Sequence, residues 1–278
     1  MRISISNIAW DVKEDSAVAD LLQSLNVDTI DLAPGKYIKN FQAVDLNVCQ
    51  AVKSWWLERG IRFAGMQSLL FGTEGLNLFG PTEVQDRMLL HFSSVCLIGE
   101  ALDARRLVFG SPKNRDRTGL DDRTAFAMAC EFFLKLATIA ESYGVTICLE
   151  PNPSYYGANF MTTTPETAAV VTEVNHPYLK LQLDTGSMCM NQENPELICS
   201  TYQAIIGHVH ASEPKLKPVG FGECDHRANS AAIASHLPEA IVTIEMLTAS
   251  EAAPLETIAA SVRFTKDHYL GVEKEAHP

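Results

Sequence analysis

A construction that recurs through the second half of the chain leaves few folds open. Val145 to Pro153 reads VTICLEPNP: a short run of Val, Thr, Ile, Cys and Leu, then Glu150, then an immediate turn through Pro151, Asn152 and Pro153. A run without polar alternation describes a strand covered on both faces, as in a parallel sheet. An acid at the C-terminal end of such a strand, just before a loop, sits where an α/β barrel carries its chemistry. The pattern returns in LKLQLDTGS, which ends its strand on Asp184, in IIGHVHASEP, with His210 near its end, and in AIVTIEML, with Glu245.

The rest of the chain keeps the same rhythm. A first strand over Arg2–Ile8 precedes a helix from about Asp15 to Leu25, with Val18, Leu21, Leu22 and Leu25 on one face and Asn26 as its stop. Val27–Ala33 is a second strand, broken by Pro34-Gly35, and the following helix runs to Arg59 with Val48, Val52 and Trp55 as its inward stripe. A third strand starts at Ile61. After a Gly-rich loop, Pro81 opens a helix bearing Val84, Met88, Phe92 and Val95. Ala104–Ser111 is the fourth strand, followed by a charged loop and a helix from about Asp122 with Phe126, Cys130, Phe133 and Ala137 at helical spacing. Thr164-Pro165-Glu166 and Asn194-Pro195-Glu196 read as helix starts, each with a cap, a proline and a first-turn acid. The seventh strand runs from about Ile205 to Ala211, Asp225 caps a short helix, and Ala240–Leu247 is the eighth strand. Leu255, Ile258, Ala259 and Val262 face inward on the last helix.

Eight alternations with no dividing linker argue for parallel strands, joined by right-handed crossovers and closed on themselves. The expected fold is α/β, a single (β/α)8 TIM barrel over residues 1–272, with a polar tail at 273–278. The chain's 278 residues suit a barrel of about 250. A doubly wound open sheet competes, but no Gly-rich phosphate turn follows the first strand.

A formal charge of −12 weighs against a nucleic-acid partner, which needs a basic patch. The seven cysteines are scattered and form no CxxC pair, so they read as small apolar side chains in a reducing compartment. With no signal-peptide pattern and no apolar run of spanning length, the expectation is a soluble cytoplasmic protein without a membrane partner.

Glu150, Asp184, His210 and Glu245 offer hard oxygens and one imidazole, a donor set that suits Mn²⁺, Mg²⁺, Co²⁺ or Zn²⁺. Each alone has a plainer reading. A strand-end acid often caps a turn or pairs within a loop, Asp184 in LDTGS included, and a strand histidine is more often a hydrogen-bonded core residue than a ligand. His208 and His210 point the same way on a strand, so one ligates while the other supports it from beneath. Four candidates in register are harder to dismiss than one.

LEPN at Glu150, LDTG at Asp184, GHVHASE around His210 and TIEM at Glu245, in this order, resemble the xylose isomerase-like barrel superfamily of sugar-phosphate isomerases and epimerases, D-tagatose 3-epimerase-like members included. The resemblance spans nearly the whole chain. It implies one divalent metal ion, commonly Mn²⁺, on those four residues, with Glu150 and Glu245 doubling as acid–base groups on opposite substrate faces. Epimerising or isomerising a hydroxyketone removes a proton beside a carbonyl. A Lewis acid stabilises the resulting enediolate while one carboxylate takes the proton and the other returns it.

Ser187 stands where these epimerases carry the histidine of DTxH, and Leu216 stands where they often carry arginine. Expected substrate contacts are Ser187, His208, Glu213, Lys215, Gln67 and Trp10. Lys215 and Lys217 suit a phosphate or are a solvated pair; Trp10 and Phe71 form an apolar wall or pack under a loop. The implied partner is a small sugar or sugar phosphate, and the relatives are often homodimers or homotetramers. An inosose-type dehydratase, an endonuclease-IV-like nuclease and a metal-binding pseudoenzyme are the alternative readings.

Overall fold

In a computed structural model that describes residues 1–248 and 253–271, the strands are β1 (Arg2–Ser6), β2 (Thr29–Leu32), β3 (Arg62–Met66), β4 (Arg106–Phe109), β5 (Thr146–Leu149), β6 (Leu179–Asp184), β7 (Ile206–Ser212) and β8 (Ile241–Glu245). Each pairs in parallel with its neighbours in sequence, and β1 pairs with β8, so the sheet closes into a single (β/α)8 barrel. Around it run α1 (Asp15–Ser24), α2 (Leu46–Leu57), α3 (Thr82–Leu102), α4 (Asp122–Ser142), α5 (Thr164–Val174), α6 (Thr185–Met190), α7 (Pro195–Tyr202), α8 (His226–His236) and α9 (Pro254–Tyr269). The expected tail, 273–278, lies outside the described residues.

Local chemistry accounts for the helix starts. Asn194 and Asp225 cap α7 and α8 by accepting the backbone N–H of Leu197 and Ala228. On α5 the cap is Thr163, one residue before the expected Thr164. Thr163 is extended and its hydroxyl accepts the Glu166 N–H, which leaves Thr164 and Pro165 as the opening helical residues. The α2 stripe is also rotated from expectation. Cys49 and Trp56 are buried, while Val48 is exposed and Val52 and Trp55 are half-buried. The Trp56 ring packs between Trp10 and Trp55, at 6.4 and 4.9 Å, and so takes the inward position. Leu255 on α9 is exposed, whereas Ile258, Ala259 and Val262 are buried as expected.

Strand alternation sorts side chains into two buried regions. Ile30, Leu32, Phe109, Leu149, Leu183 and Ile244 belong to the apolar layer under the helices. Phe109 meets Phe92 of α3 at 5.6 Å and Phe133 of α4 at 5.2 Å. The alternate positions face the barrel lumen, and many there are polar: Ser4, Asp31, Gln182, His208, His210 and Thr243 are all buried.

Two register shifts re-aim lumen residues. Ile30 pairs with Phe63 but Asp31 with Gly65, leaving Ala64 as an extra residue in β3. Leu181 pairs with Ile206 but Gln182 with His208, leaving Gly207 as an extra residue in β7. Position 207 has to be glycine, because an added Cβ would sit 2.5 Å from the Lys180 Cβ. All seven cysteines are free, and no described helix is long and apolar enough to cross a membrane.

Candidate active site

The ends of β5 to β8 converge on one point. Glu150 directly follows β5, Asp184 ends β6, His210 lies within β7 and Glu245 ends β8. Asp184 is paired with His210 across the β6–β7 ladder, and Glu245 with Ser212 across the next. One ligand-type atom from each of the four lies within 4.8 Å of the others, and all four side chains are buried. His210 Nδ1 is 3.3 Å from Glu150 Oε1 and 3.5 Å from Glu245 Oε2.

Three carboxylates this close strain the charge balance. Burial, and then the charges of Glu150 and Glu245, push Asp184 up to about 7. Burial works against a charged His210, but Glu245, Asp31 and Glu150 hold it well above its ordinary value. Glu150 Oε1 and His210 Nδ1 are buried and have no hydrogen-bond partner among the described residues, an arrangement folded proteins seldom leave without a purpose. Crowded oxygens, one imidazole nitrogen and orphaned donor atoms fit a divalent cation.

The surroundings hold the four in place. Asp184 does cap α6, its Oδ1 accepting the Ser187 N–H at 2.6 Å, while Oδ2 accepts the Ser212 hydroxyl. Capping and membership of the cluster therefore coexist. Gln67 donates to Glu245 Oε1 at 2.5 Å. Gly110 makes room for Glu150, since an added Cβ would come within 2.0 Å of Oε2. Arg115, fully buried, donates to the backbone oxygens of Glu150 and Phe109 and to Asn152 Oδ1, which ties the ends of β4 and β5 to its loop. Burial lowers its pKa to about 10, against the pull of Glu150.

A cavity of about 220 Å³ opens above the cluster, with Asn152, Tyr156, Ser187, Glu213 and Leu216 in its wall. A second cavity, of about 460 Å³, shares Gly110, Pro112, Glu150, Leu216 and Glu245 with it and extends over Gln67 and the exposed Phe71. Ser187 donates to the Pro151 carbonyl at 2.9 Å. Glu213 reaches the cavity, but its carboxylate accepts the N–H groups of Glu223 and Cys224 and a contact from His226 Nε2, each at 3.0 Å. Burial alone would raise it, yet His226 and the Cys224 N–H hold it down at about 2.

Three residues expected to touch substrate lie outside both cavities. Trp10 is core: its indole N–H donates to Asp15 at 2.8 Å and its ring packs on Trp56, so it lines neither cavity. Lys215 lies outside both linings, its ammonium 5.2 Å from the centre of the Tyr155 ring, because its backbone turns through a left-handed conformation. His208 sits one layer beneath His210, bonded to Asp31 at 2.6 Å and lining a cavity at the opposite barrel mouth. Sequence reading overlooked Asp31 and Arg115. The acid in VDTIDLA is flanked by apolar residues and carries no strand-end signature, and PKNRDRTG reads as a solvated loop.

Fold and cluster give a (β/α)8 barrel with four residues at the C-terminal side of its strands that could hold a metal ion. Residues 19–268 match the xylose isomerase-like TIM barrel family, and the chain belongs to it. No curated protein matches the chain in sequence. Among solved structures, D-psicose 3-epimerase with D-tagatose from Clostridium cellulolyticum H10 is similar at a TM-score of 0.79 and 18% identity, over 97% of this chain and 99% of that one. The 3-keto-D-glucoside 4-epimerase YcjR from E. coli gives 0.76 and 15%, over 96% and 99%. The IOLI protein with a bound zinc atom gives 0.76 and 16%, over 99% and 100%. At such identities the likeness establishes the shared fold.

Proposed function

We propose that the protein is a divalent-metal-dependent sugar isomerase or epimerase of the cytoplasm, with Mn²⁺ as its preferred ion. The observation that carries the reading is the convergence of Glu150, Asp184, His210 and Glu245, with Glu150 Oε1 and His210 Nδ1 left without hydrogen-bond partners beneath an open cavity. These four would hold the ion, which when bound supplies Lewis acidity toward the carbonyl and hydroxyl oxygens of a ketose. The 3-epimerase and 4-epimerase names of structural neighbours support the class.

The protein's own groups do the proton chemistry. Glu150 and Glu245 approach from β5 and β8, on different sides of the cluster. One takes the proton beside the carbonyl and the other returns it, to the opposite face or the adjacent atom. Gln67 orients Glu245 and Gly110 leaves Glu150 its space. Tyr156, Asn152 and Ser187 offer hydroxyl and amide groups to a polyol. Among the described residues no Lys or Arg lines the cavity of about 220 Å³ and Lys215 is turned onto Tyr155, but Lys113 lines the adjoining cavity, so both free and phosphorylated sugars belong in the test.

The test is deuterium uptake from D₂O, read by NMR, for a panel of free and phosphorylated ketoses and inosose with Mn²⁺-loaded protein. Exchange beside the carbonyl, lost in Glu150→Gln and Glu245→Gln, is the expected result. Tight Mn²⁺ binding without exchange on any compound would favour the pseudoenzyme, and absence of metal binding would overturn the reading.

A further inference from the structure

Beneath the strand-end residues the lumen holds a polar cluster that the chemistry above leaves unused. Asp31, on β2, is fully buried, and its Oδ2 lies 2.6 Å from Nε2 of His208 and 3.3 Å from Nε2 of His210. β2 and β7 are not neighbours in the sheet, so both contacts span the lumen. Each side of the contact adjoins a register shift: Gly207 precedes His208, and Ala64 precedes Gly65, the pairing partner of Asp31. Gly65 also keeps the space clear, since an added Cβ would sit 3.2 Å from Asp31 Oδ1. The backbone is thus shaped on both walls where these three side chains meet.

A carboxylate accepts hydrogen bonds and donates none, so the imidazole nitrogens facing Asp31 carry the protons. For His210 that places a hydrogen on Nε2, so that when the ring is neutral, as a ligating imidazole must be, its lone pair lies on Nδ1. Nδ1 is the atom turned toward Glu150 and Glu245, and it has no hydrogen-bond partner among the described residues. Outer carboxylates commonly fix ring orientation and tautomer in this way for a ligating histidine.

We propose that Asp31 is the positioning residue of the metal centre, holding His210 with Nε2–H down the lumen and Nδ1 presented to the ion, with His208 bracing the carboxylate from below. This rests on the reading that the four strand-end residues bind a divalent cation. Asp31 touches no substrate; it acts through His210.

Protein labelled with [¹⁵N]histidine and loaded with Zn²⁺, studied by long-range ¹H–¹⁵N correlation and assigned with His210→Gln, tests this directly. His210 is expected to keep its proton on Nε2 and coordinate through Nδ1. Coordination through Nε2, or a proton on Nδ1, overturns the proposal but leaves the metal reading intact. Zn²⁺ that is not taken up at all removes the metal reading and the proposal with it. As a second measurement, Asp31→Asn should weaken Mn²⁺ binding by about 10–100-fold in calorimetry and alter the visible spectrum of the Co²⁺-loaded protein. A folded variant with unchanged Kd and unchanged Co²⁺ spectrum overturns it; if the variant does not fold, the labelled wild type decides.

Discussion

The same eight strands present opposite chemistry to the helices and to the lumen. Outside, Phe109 packs on the helix residues Phe92 and Phe133 in a predominantly apolar layer that also buries Leu149 and Leu183. Inside, Asp31, Gln182, His208, His210 and Thr243 are as deeply buried, and Gln182 Oε1, Thr243 Oγ1 and Asp31 Oδ1 find no hydrogen-bond partner among the described residues. A buried polar atom left unpaired costs about 1–3 kcal/mol. The outer layer supplies the stability that this lumen forgoes. What the contrast teaches is a division of labour: one face of the sheet holds the barrel closed, while the other is free to carry a site that disfavours folding.

The strongest way to sharpen that contrast is to substitute the two acid–base candidates. Glu150→Gln and Glu245→Gln should each lower solvent exchange by about two to four orders of magnitude. Thermal melts of the metal-free variants should match or exceed wild type, because one of three crowded charges is gone. Full exchange in either variant would remove that residue from the chemistry.

The converse substitution lies in the outer layer. Phe133→Ala, at a fully buried position packed on Phe109, should cost about 3–5 kcal/mol in urea unfolding. Its Mn²⁺ affinity should stay close to wild type when measured below the unfolding range. A variant that loses affinity as sharply as stability would show that the two regions are not separable.

Glu213 tests the loop that follows β7. Its carboxylate is held at about 2, below the ordinary 4.5, by His226 and backbone N–H groups. A depressed carboxylate contributes stability that is present above its unfolded value and lost as pH falls toward its folded one. Wild type should therefore exceed Glu213→Gln by up to about 3 kcal/mol at pH 6. Unfolding series from pH 6 to 2 should show the gap closing between about 4.5 and 2; a gap independent of pH would contradict the assignment.

The smallest effect expected is at Gly110. In Gly110→Ala the new methyl group meets Glu150 Oε2, so Glu150 must turn aside. Mn²⁺ affinity should fall by about tenfold, with little change in unfolding. Unaltered affinity would mean that Glu150 can be displaced without cost to the centre.

Much of this was legible in one dimension. Strand–helix alternation, turn prolines and capping residues are local patterns, so the barrel and the places of Glu150, Asp184, His210 and Glu245 at successive strand ends follow from reading the chain in order. Closure then brings those ends together, because parallel strands in a closed barrel all present their C-terminal ends at one mouth. The tertiary structure alone decided the remainder. Asp31 meets His208 and His210 across 177 and 179 residues, through bulges at Ala64 and Gly207 that shift register by one. Arg115 is drawn out of a charged loop to tie two strands, Trp10 is claimed by Asp15 and Trp56, and Lys215 turns onto Tyr155. Periodicity states which side of a strand a residue occupies; it does not state what waits across the lumen, because that partner is chosen by closure geometry rather than by neighbours in the chain.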